Sequence, residues 1–269
     1  MHRANASTAP QQDVINGLKT LTENQHRMVA SVVRALRTPT EFIANSSSDL
    51  VDDPFIETMA NFLVLHHALH EEPLSKKPFE YVFRQCLLAQ GKSAELNSTP
   101  GASPHDVRGG GYNWSLKTEA AKGISPQQVK IEKLMEARWI RECLTPEDCA
   151  NAVRQRVPHH LAGYDRILVL RAFSKMSETI YKLIEVPTRA LADRLSQAVP
   201  EMFSKTKGSP SFGADFYDSN SGARVFRILL DSSVEKIRLS HSAEWCTHHG
   251  TWIIPKDQEL SLDYQTSIG

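Results

Sequence analysis

Asp106 and Lys117 stand on either side of three consecutive glycines, Gly109-Gly110-Gly111. A carboxylate and a lysine on adjacent strands form a pair suited to metal-assisted hydrolysis of a phosphodiester. The carboxylate fixes a divalent cation, and the lysine favours the hydroxide form of an attacking water. From Tyr112 the residues alternate. Tyr112, Trp114, Leu116 and Thr118 fall on one face, and Asn113, Ser115, Lys117 and Glu119 on the other. The first face is mostly apolar and the second wholly polar, the pattern of a strand laid on a core. Asp106 then falls on the preceding strand, returned by a hairpin through the glycines. That loop also permits close approach of another backbone, such as DNA.

A helix is expected just before these strands. Phe79, Val82, Phe83, Cys86 and Leu87 carry a helical apolar stripe, and Gly91 is a stop. Glu80 sits at the edge of that stripe, where a carboxylate can look into a cleft.

The segment resembles the PD-(D/E)XK nuclease superfamily, and type II restriction endonucleases in particular. Pro104-His105-Asp106 stands for the first half of the motif with one residue inserted, and Ser115-Leu116-Lys117 for the second. Thr118 extends the likeness to the ELKT-type motif of mismatch-repair nicking nucleases and their restriction relatives. The resemblance covers roughly residues 79–140. It implies a restriction-endonuclease-like core, a Mg2+ cofactor and double-stranded DNA as substrate, with Asp106, Lys117 and the Ser115 position at the catalytic centre.

Ser115 departs from the motif, because a hydroxyl is a weaker ligand for a hard cation than a carboxylate. Glu80 and Glu119 rank first as replacements, in the metal shell with Asp106. Glu132 and Glu136, expected on a downstream helix, are the fallback. Without any of them, the chain would be a DNA-binding protein on a nuclease fold.

Composition is that of an ordinary globular chain. Of 269 residues, 41% are hydrophobic and 23% charged, and 31 basic residues balance 31 acidic ones. The balance weighs against a histone-like coat but does not exclude a localised basic groove. No apolar run is long enough for a membrane span, and the polar amino terminus has no signal-peptide core, so a cytoplasmic protein is expected. Cys86, Cys143, Cys149 and Cys246 read as buried thiols. Cys246, His248 and His249 lack the paired spacing of a zinc site. The doublets His66-His67 and His159-His160 show no repeat period, and the first is assigned to packing or capping.

The wider expectation is a mixed α+β (α/β) single domain over 1–269, with a central mixed sheet flanked by helices. About 11–78 form an N-terminal helical region, 79–186 the nuclease core, and 187–269 a helix with β-rich additions. One long helix is expected over Gln11–Arg37, a loop over Thr38–Pro54 and a helix over Pro54–His70. A helix from Ser125 to about Arg141, capped with Gln128, and another from Thr145 follow. Ile167-Leu168-Val169-Leu170 reads as a strand buried on both faces, and Thr179–Val186 as the next. Pro187-Thr188 opens a helix carrying Leu191 and Leu195, and Gly213–Pro255 forms hairpins, one turning at Ser219-Asn220-Ser221-Gly222.

Sequence readout is expected on these hairpins. Lys236, Arg238 and Ser240 alternate with Ile237 and Leu239, and Arg224 and Arg227 lie nearby. Arginine forks match guanine in the major groove. Lys122, Lys130 and Lys133 are placed to touch phosphates. The expected function is Mg2+-dependent, sequence-specific cleavage of double-stranded DNA by a homodimer whose symmetry matches a palindromic target. A repair or nicking nuclease and a non-catalytic DNA-binding protein are the alternatives.

Overall fold

The computed structural model describes residues 8–97, 105–197, 202–204 and 212–256. Pro104, the first residue of the motif, lies outside them. In chain order the elements are helices α1 (Thr8–Leu18) and α2 (Glu23–Leu36), strand β1 (Glu41–Ala44), helices α3 (Asp53–Leu69) and α4 (Lys76–Ala89), and strands β2 (Ala94–Leu96), β3 (Val107–Gly109), β4 (Tyr112–Glu119) and β5 (Gln128–Glu136). A 3-10 turn (Arg138–Glu142), helix α5 (Pro146–Leu161), strands β6 (Arg166–Ser174) and β7 (Glu178–Val186), helix α6 (Thr188–Gln197) and strands β8 (Phe203–Ser204), β9 (Phe212–Tyr217), β10 (Arg224–Asp231), β11 (Lys236–Ser242) and β12 (Thr247–Pro255) complete the described chain.

The central sheet has seven strands in the order β1-β12-β7-β6-β4-β3-β2. It is mixed, because β4 runs parallel to β6 while its other pairs are antiparallel. The parallel step needs a crossover, which α5 supplies. One face packs against α3 and α4 through Phe55, Met59, Phe79, Phe83, Trp114, Leu116 and Trp252. The other face meets α5, α6 and a second sheet through Val153, Val157, Leu161, Ile167, Val169, Leu191 and Ile228. β6 is buried on both faces from Ile167 to Ala172, which suits its central place.

Local chemistry explains the elements nearest the motif. α4 ends in a Schellman turn: the amide of Lys92 donates to Leu87 O (3.0 Å) and that of Gly91 to Leu88 O (2.9 Å), with Gly91 at φ +75°. The hairpin from β3 to β4 turns at Gly110 (φ +59°) and Gly111 (φ +85°), positive values that a two-residue hairpin loop demands. α5 starts at a capping box, in which Thr145 Oγ1 accepts from the Asp148 amide and Asp148 returns a bond to the Thr145 amide.

Three expectations change. The helix expected over Ser125–Arg141 is strand β5 followed by the 3-10 turn, so Gln128 begins a strand rather than completing a capping box. β5 pairs with β11, and the register shifts between Ile237 and Leu239, which face Met135 and Ile131. This irregularity puts extra β5 residues between the two pairs, so the apolar residues Ile131, Leu134 and Met135 take a spacing that imitates a helical stripe. The single helix over Gln11–Arg37 is two helices, because Thr22 caps α2 with Gln25 and stops continuation from α1. The loop over Thr38–Pro54 contains β1, an edge strand antiparallel to β12.

The second sheet has the order β5-β11-β10-β9-β8. β12, from the C-terminal hairpin region, belongs instead to the central sheet, and β5, from the middle of the chain, belongs to the second. The alternation on β11 is as expected, with Ile237 and Leu239 buried and Lys236, Arg238 and Ser240 partly exposed. No helix among the described residues is long and apolar enough to cross a membrane.

Candidate active site

Asp106 sits immediately before β3, at the point where β3 and β4 part. Its amide donates to Trp114 O (2.8 Å), and its Oδ2 accepts from the Leu116 amide (2.7 Å). The residue therefore lies across from Ser115, and its carboxylate ends the ladder. Asp106 Oδ1 accepts from Lys76 Nζ (2.7 Å) in the first turn of α4. The same Nζ lies 3.0 Å from Glu80 Oε1, and Lys77 Nζ donates to Glu80 Oε2 (2.8 Å). One ammonium thus bridges two carboxylates from separate elements. Glu80 is 6% exposed, deeper than an edge position on the stripe suggests.

Lys117 projects from the face of β4 that carries Ser115. Burial pushes its pKa down from 10.5 to about 8. Asp106 and Glu80 oppose that shift, and Lys76 and Lys133 reinforce it, so all four charges are felt at the Lys117 ammonium. Lys117 opens into a cleft of about 960 Å³ lined by Lys76, Glu132, Lys133, His159 and His160 among others. His160 Nε2 is 3.3 Å from Leu134 O, and burial lowers its pKa.

Ser115 is fully buried, and its hydroxyl has no hydrogen-bond partner among the described residues. The hydroxyl of Tyr164, 4% exposed, is likewise unpartnered. Each is a polar group left dry without compensation, a cost proteins seldom carry without reason.

Glu119 is drawn elsewhere. Arg171 Nε donates to its Oε2 (2.6 Å), and the two side chains are 1% and 5% exposed. Burial raises the Glu119 pKa, and Arg171 opposes the rise. Arg171 also donates to the carbonyls of Ser125 (2.6 Å) and Gln128 (2.7 Å), tying β4 to the approach of β5. Glu132 and Glu136 lie on β5 and line the cleft, 3.4 Å from Arg238 Nε and 2.5 Å from Lys133 Nζ respectively. The structure thus brings Asp106, Glu80 and Lys117 into one electrostatic cluster and binds Glu119 into a separate ion pair.

The arginines of the second sheet are already paired. Arg238 Nη2 lies 2.8 Å from Asp231 Oδ2, Arg227 bonds Asp215 through two nitrogens, and Arg224 lies 3.5 Å from Asp215. Lys130 stands across from Ser240 in the register, and Ser240 Oγ donates to Gln128 Oε1 (3.3 Å).

Two features escape the motif reading. Lys76 had a local signal, since it lies one helical turn before Glu80. The other is a cluster of Asp49, Glu185 and His249, whose ligand atoms lie within 4.8 Å of one another. No local spacing could reveal it, because its members come from distant parts of the chain. Arg166 already bonds both carboxylates there, donating to Asp49 Oδ2 (3.0 Å), Asp49 Oδ1 (2.9 Å) and Glu185 Oε1 (3.0 Å). His249 bonds Glu185 (2.9 Å) and Ser48 (2.9 Å), while His248 bonds Thr251 and Cys246 approaches His241. Cys246, His248 and His249 therefore do not converge, as their spacing implied. Cys86 and Cys149 are buried and Cys143 and Cys246 partly so, all as free thiols.

Sequence comparison places the chain in the class of site-specific deoxyribonucleases. The profile of the SmaI family, described as type II site-specific deoxyribonuclease, matches residues 14–254. The type II restriction enzyme SmaI of Serratia marcescens is 32% identical over 217 residues, which cover 77% of this chain and 82% of that enzyme. No solved structure matches. The chain belongs to the SmaI family and is a type II restriction endonuclease. DNA is the substrate of such enzymes, and they generally use a divalent metal ion.

Proposed function

We propose that this endonuclease cuts double-stranded DNA at a PD-(D/E)XK-type centre in which Asp106 and Glu80 hold Mg2+, Lys117 serves the attacking water, and Ser115 occupies the place of the motif's second acid. The observation that carries this reading is the Lys76 ammonium shared by Asp106 and Glu80. A cation already sits between the two acids, so the site is built for positive charge. The donors are hard oxygens, which suit Mg2+, and Ser115, across from Asp106, adds a hydroxyl with no partner among the described residues. The Asp49–Glu185–His249 cluster is a poorer fit, because Arg166, 12% exposed, bonds both carboxylates through several nitrogens and has no room to move aside as the more exposed Lys76 does. Glu119 is set below Glu80 because Arg171 holds it.

Mg2+, when bound, supplies charge stabilisation at the scissile phosphate and makes a water easier to deprotonate. The protein does the rest. Lys76 moves aside from the acids, which its 42% side-chain exposure allows. Burial lowers the Lys117 pKa to about 8, so a fraction of Lys117 Nζ is the free amine that can accept the proton of the attacking water, and the ammonium form orients that water. The new O–P bond forms in line as the bond from phosphorus to the deoxyribose oxygen breaks, and the departing oxygen takes its proton from solvent. Lys133 and His159 line the cleft where the phosphate backbone would lie, with Lys122 and Lys130 as outer contacts. The partly exposed face of β11, with Lys236, Arg238 and Ser240, and the neighbouring Arg224 and Arg227 form the surface for base readout. Their acidic partners would exchange for DNA on binding. A cytoplasmic homodimer acting on a palindromic target completes this reading. Family membership favours it over the nicking and non-catalytic alternatives.

Cleavage of supercoiled plasmid in Mg2+ tests the assignment. Asp106→Asn and Glu80→Gln are each expected to slow cutting by about 10²-fold or more, with the fold intact by circular dichroism. Near-normal cutting by Asp106→Asn would place the chemistry elsewhere.

A further inference from the structure

We propose that Tyr164 is a positioning residue of the metal pocket, whose hydroxyl donates to the oxygen shell around a divalent cation held at Asp106. The inference rests on the assignment of the cation to Asp106 and Glu80 and adds a group that lies outside the motif. Tyr164 sits in the short turn between α5 and β6. Its neighbour Asp165 exchanges two hydrogen bonds with Asn113, receiving one from the Asn113 amide (2.7 Å) and donating its own amide to Asn113 O (2.8 Å). That clamp holds the turn against β4, two residues before Ser115. Ala162 and Gly163 of the same turn line the cleft.

The ring itself is fixed. His160 stands edge-on to it, with centroids 5.5 Å apart and planes at 83°, and Tyr164 joins the core that contains Ile167 and Val169. Ile167 and Val169 are the register partners of Ser115 and Lys117 on β4. Tyr164 therefore packs on the side of the central sheet toward which Ser115 and Lys117 point. Burial disfavours ionisation of the Tyr164 phenol, and the charge of Asp106 adds to that effect. A neutral phenol is a hydrogen-bond donor throughout the working range of the enzyme, and its hydroxyl has no partner among the described residues.

An unpartnered buried hydroxyl makes a prediction that separates function from structure. If its partner arrives only with the cation, Tyr164→Phe leaves the metal-free protein no less stable, because it removes a group that is paying desolvation without return. The same change weakens cation binding, by about tenfold if the loss matches that of other groups outside the direct ligand shell.

The experiment compares wild type, Tyr164→Phe and Asp106→Asn, measuring thermal midpoints in chelator and Mn2+ affinity by calorimetry in the absence of DNA. The proposal expects Tyr164→Phe to melt at or above the wild-type midpoint in chelator and to bind Mn2+ about tenfold more weakly. In cleavage assays the Mn2+ concentration giving half-maximal rate should rise while the KM for DNA stays unchanged. A lower midpoint in chelator would make the hydroxyl structural and overturn the proposal. So would wild-type Mn2+ affinity in Tyr164→Phe alongside lost affinity in Asp106→Asn. Wild-type affinity in Asp106→Asn would instead remove the Asp106 assignment, and the Tyr164 role with it.

Discussion

Replacing Lys117 by methionine should stabilise the metal-free enzyme while abolishing its activity. Burial holds the Lys117 pKa at about 8 against 10.5 in an exposed lysine. The folded protein therefore binds this proton less tightly than the unfolded chain does. Between those two values the unfolded chain carries more protons, so stability rises with pH. Below about pH 8 the penalty of the buried charge is present in full, and above 10.5 it is gone. One pKa unit corresponds to about 1.4 kcal/mol, which puts the full penalty at about 3.5 kcal/mol. Lys117 borders an open cleft, and water screening reduces this to about 2 kcal/mol. Methionine keeps the length of the chain and removes the charge. At pH 7 the gain should raise the melting temperature by roughly 4–8 °C for a chain of this size. The assay is urea unfolding of both proteins in chelator at pH 7 and at pH 10.5. The variant should be more stable by about 2 kcal/mol at the lower pH and equal at the higher, with cleavage reduced about 10²-fold or more. A variant less stable than wild type at pH 7, or an advantage that persists at pH 10.5, would refute the reasoning.

Glu119→Gln should cost about 3–5 kcal/mol of stability, because it leaves the Arg171 guanidinium buried without its counter-charge; Mn2+ affinity of the folded fraction should remain normal, and a selective loss of metal binding would return Glu119 to the metal shell. Lys76→Met removes the cation that competes for Asp106 and Glu80, so calorimetry should show Mn2+ binding tightened by about fivefold, in keeping with the modest worth of a partly exposed ion pair. Weaker Mn2+ binding by this variant would show that Lys76 supports the cation rather than standing in for it.

The parts of the fold that sequence made legible are those set by local chemistry. The stripe from Phe79 to Leu87 with Gly91 at its end is α4, the glycine run is the turn between β3 and β4, and the apolar run from Ile167 is the central strand β6. The rest depends on distant partners. β1 is a strand because β12 lies beside it, and no feature of Glu41–Ala44 announces that pairing. β5 imitates a helix because its register irregularity changes the spacing of its apolar side chains. In the candidate site, the nearness of Asp106 and Lys117 is legible from the motif spacing, and that of Glu80 from its place on the stripe. The capture of Glu119 by Arg171 is not, since it depends on β6 lying beside β4, a pairing that no local spacing encodes. The hydroxyl of Tyr164 is invisible for the same reason, because only the folded chain shows that it has no partner among the described residues.

The most direct test of the cation's place is an anomalous difference map from crystals of the enzyme with its DNA and Mn2+. A peak is expected between Asp106 and Glu80, with the Lys76 ammonium displaced from both carboxylates. A peak at Asp49, Glu185 and His249 with none at Asp106 would contradict it.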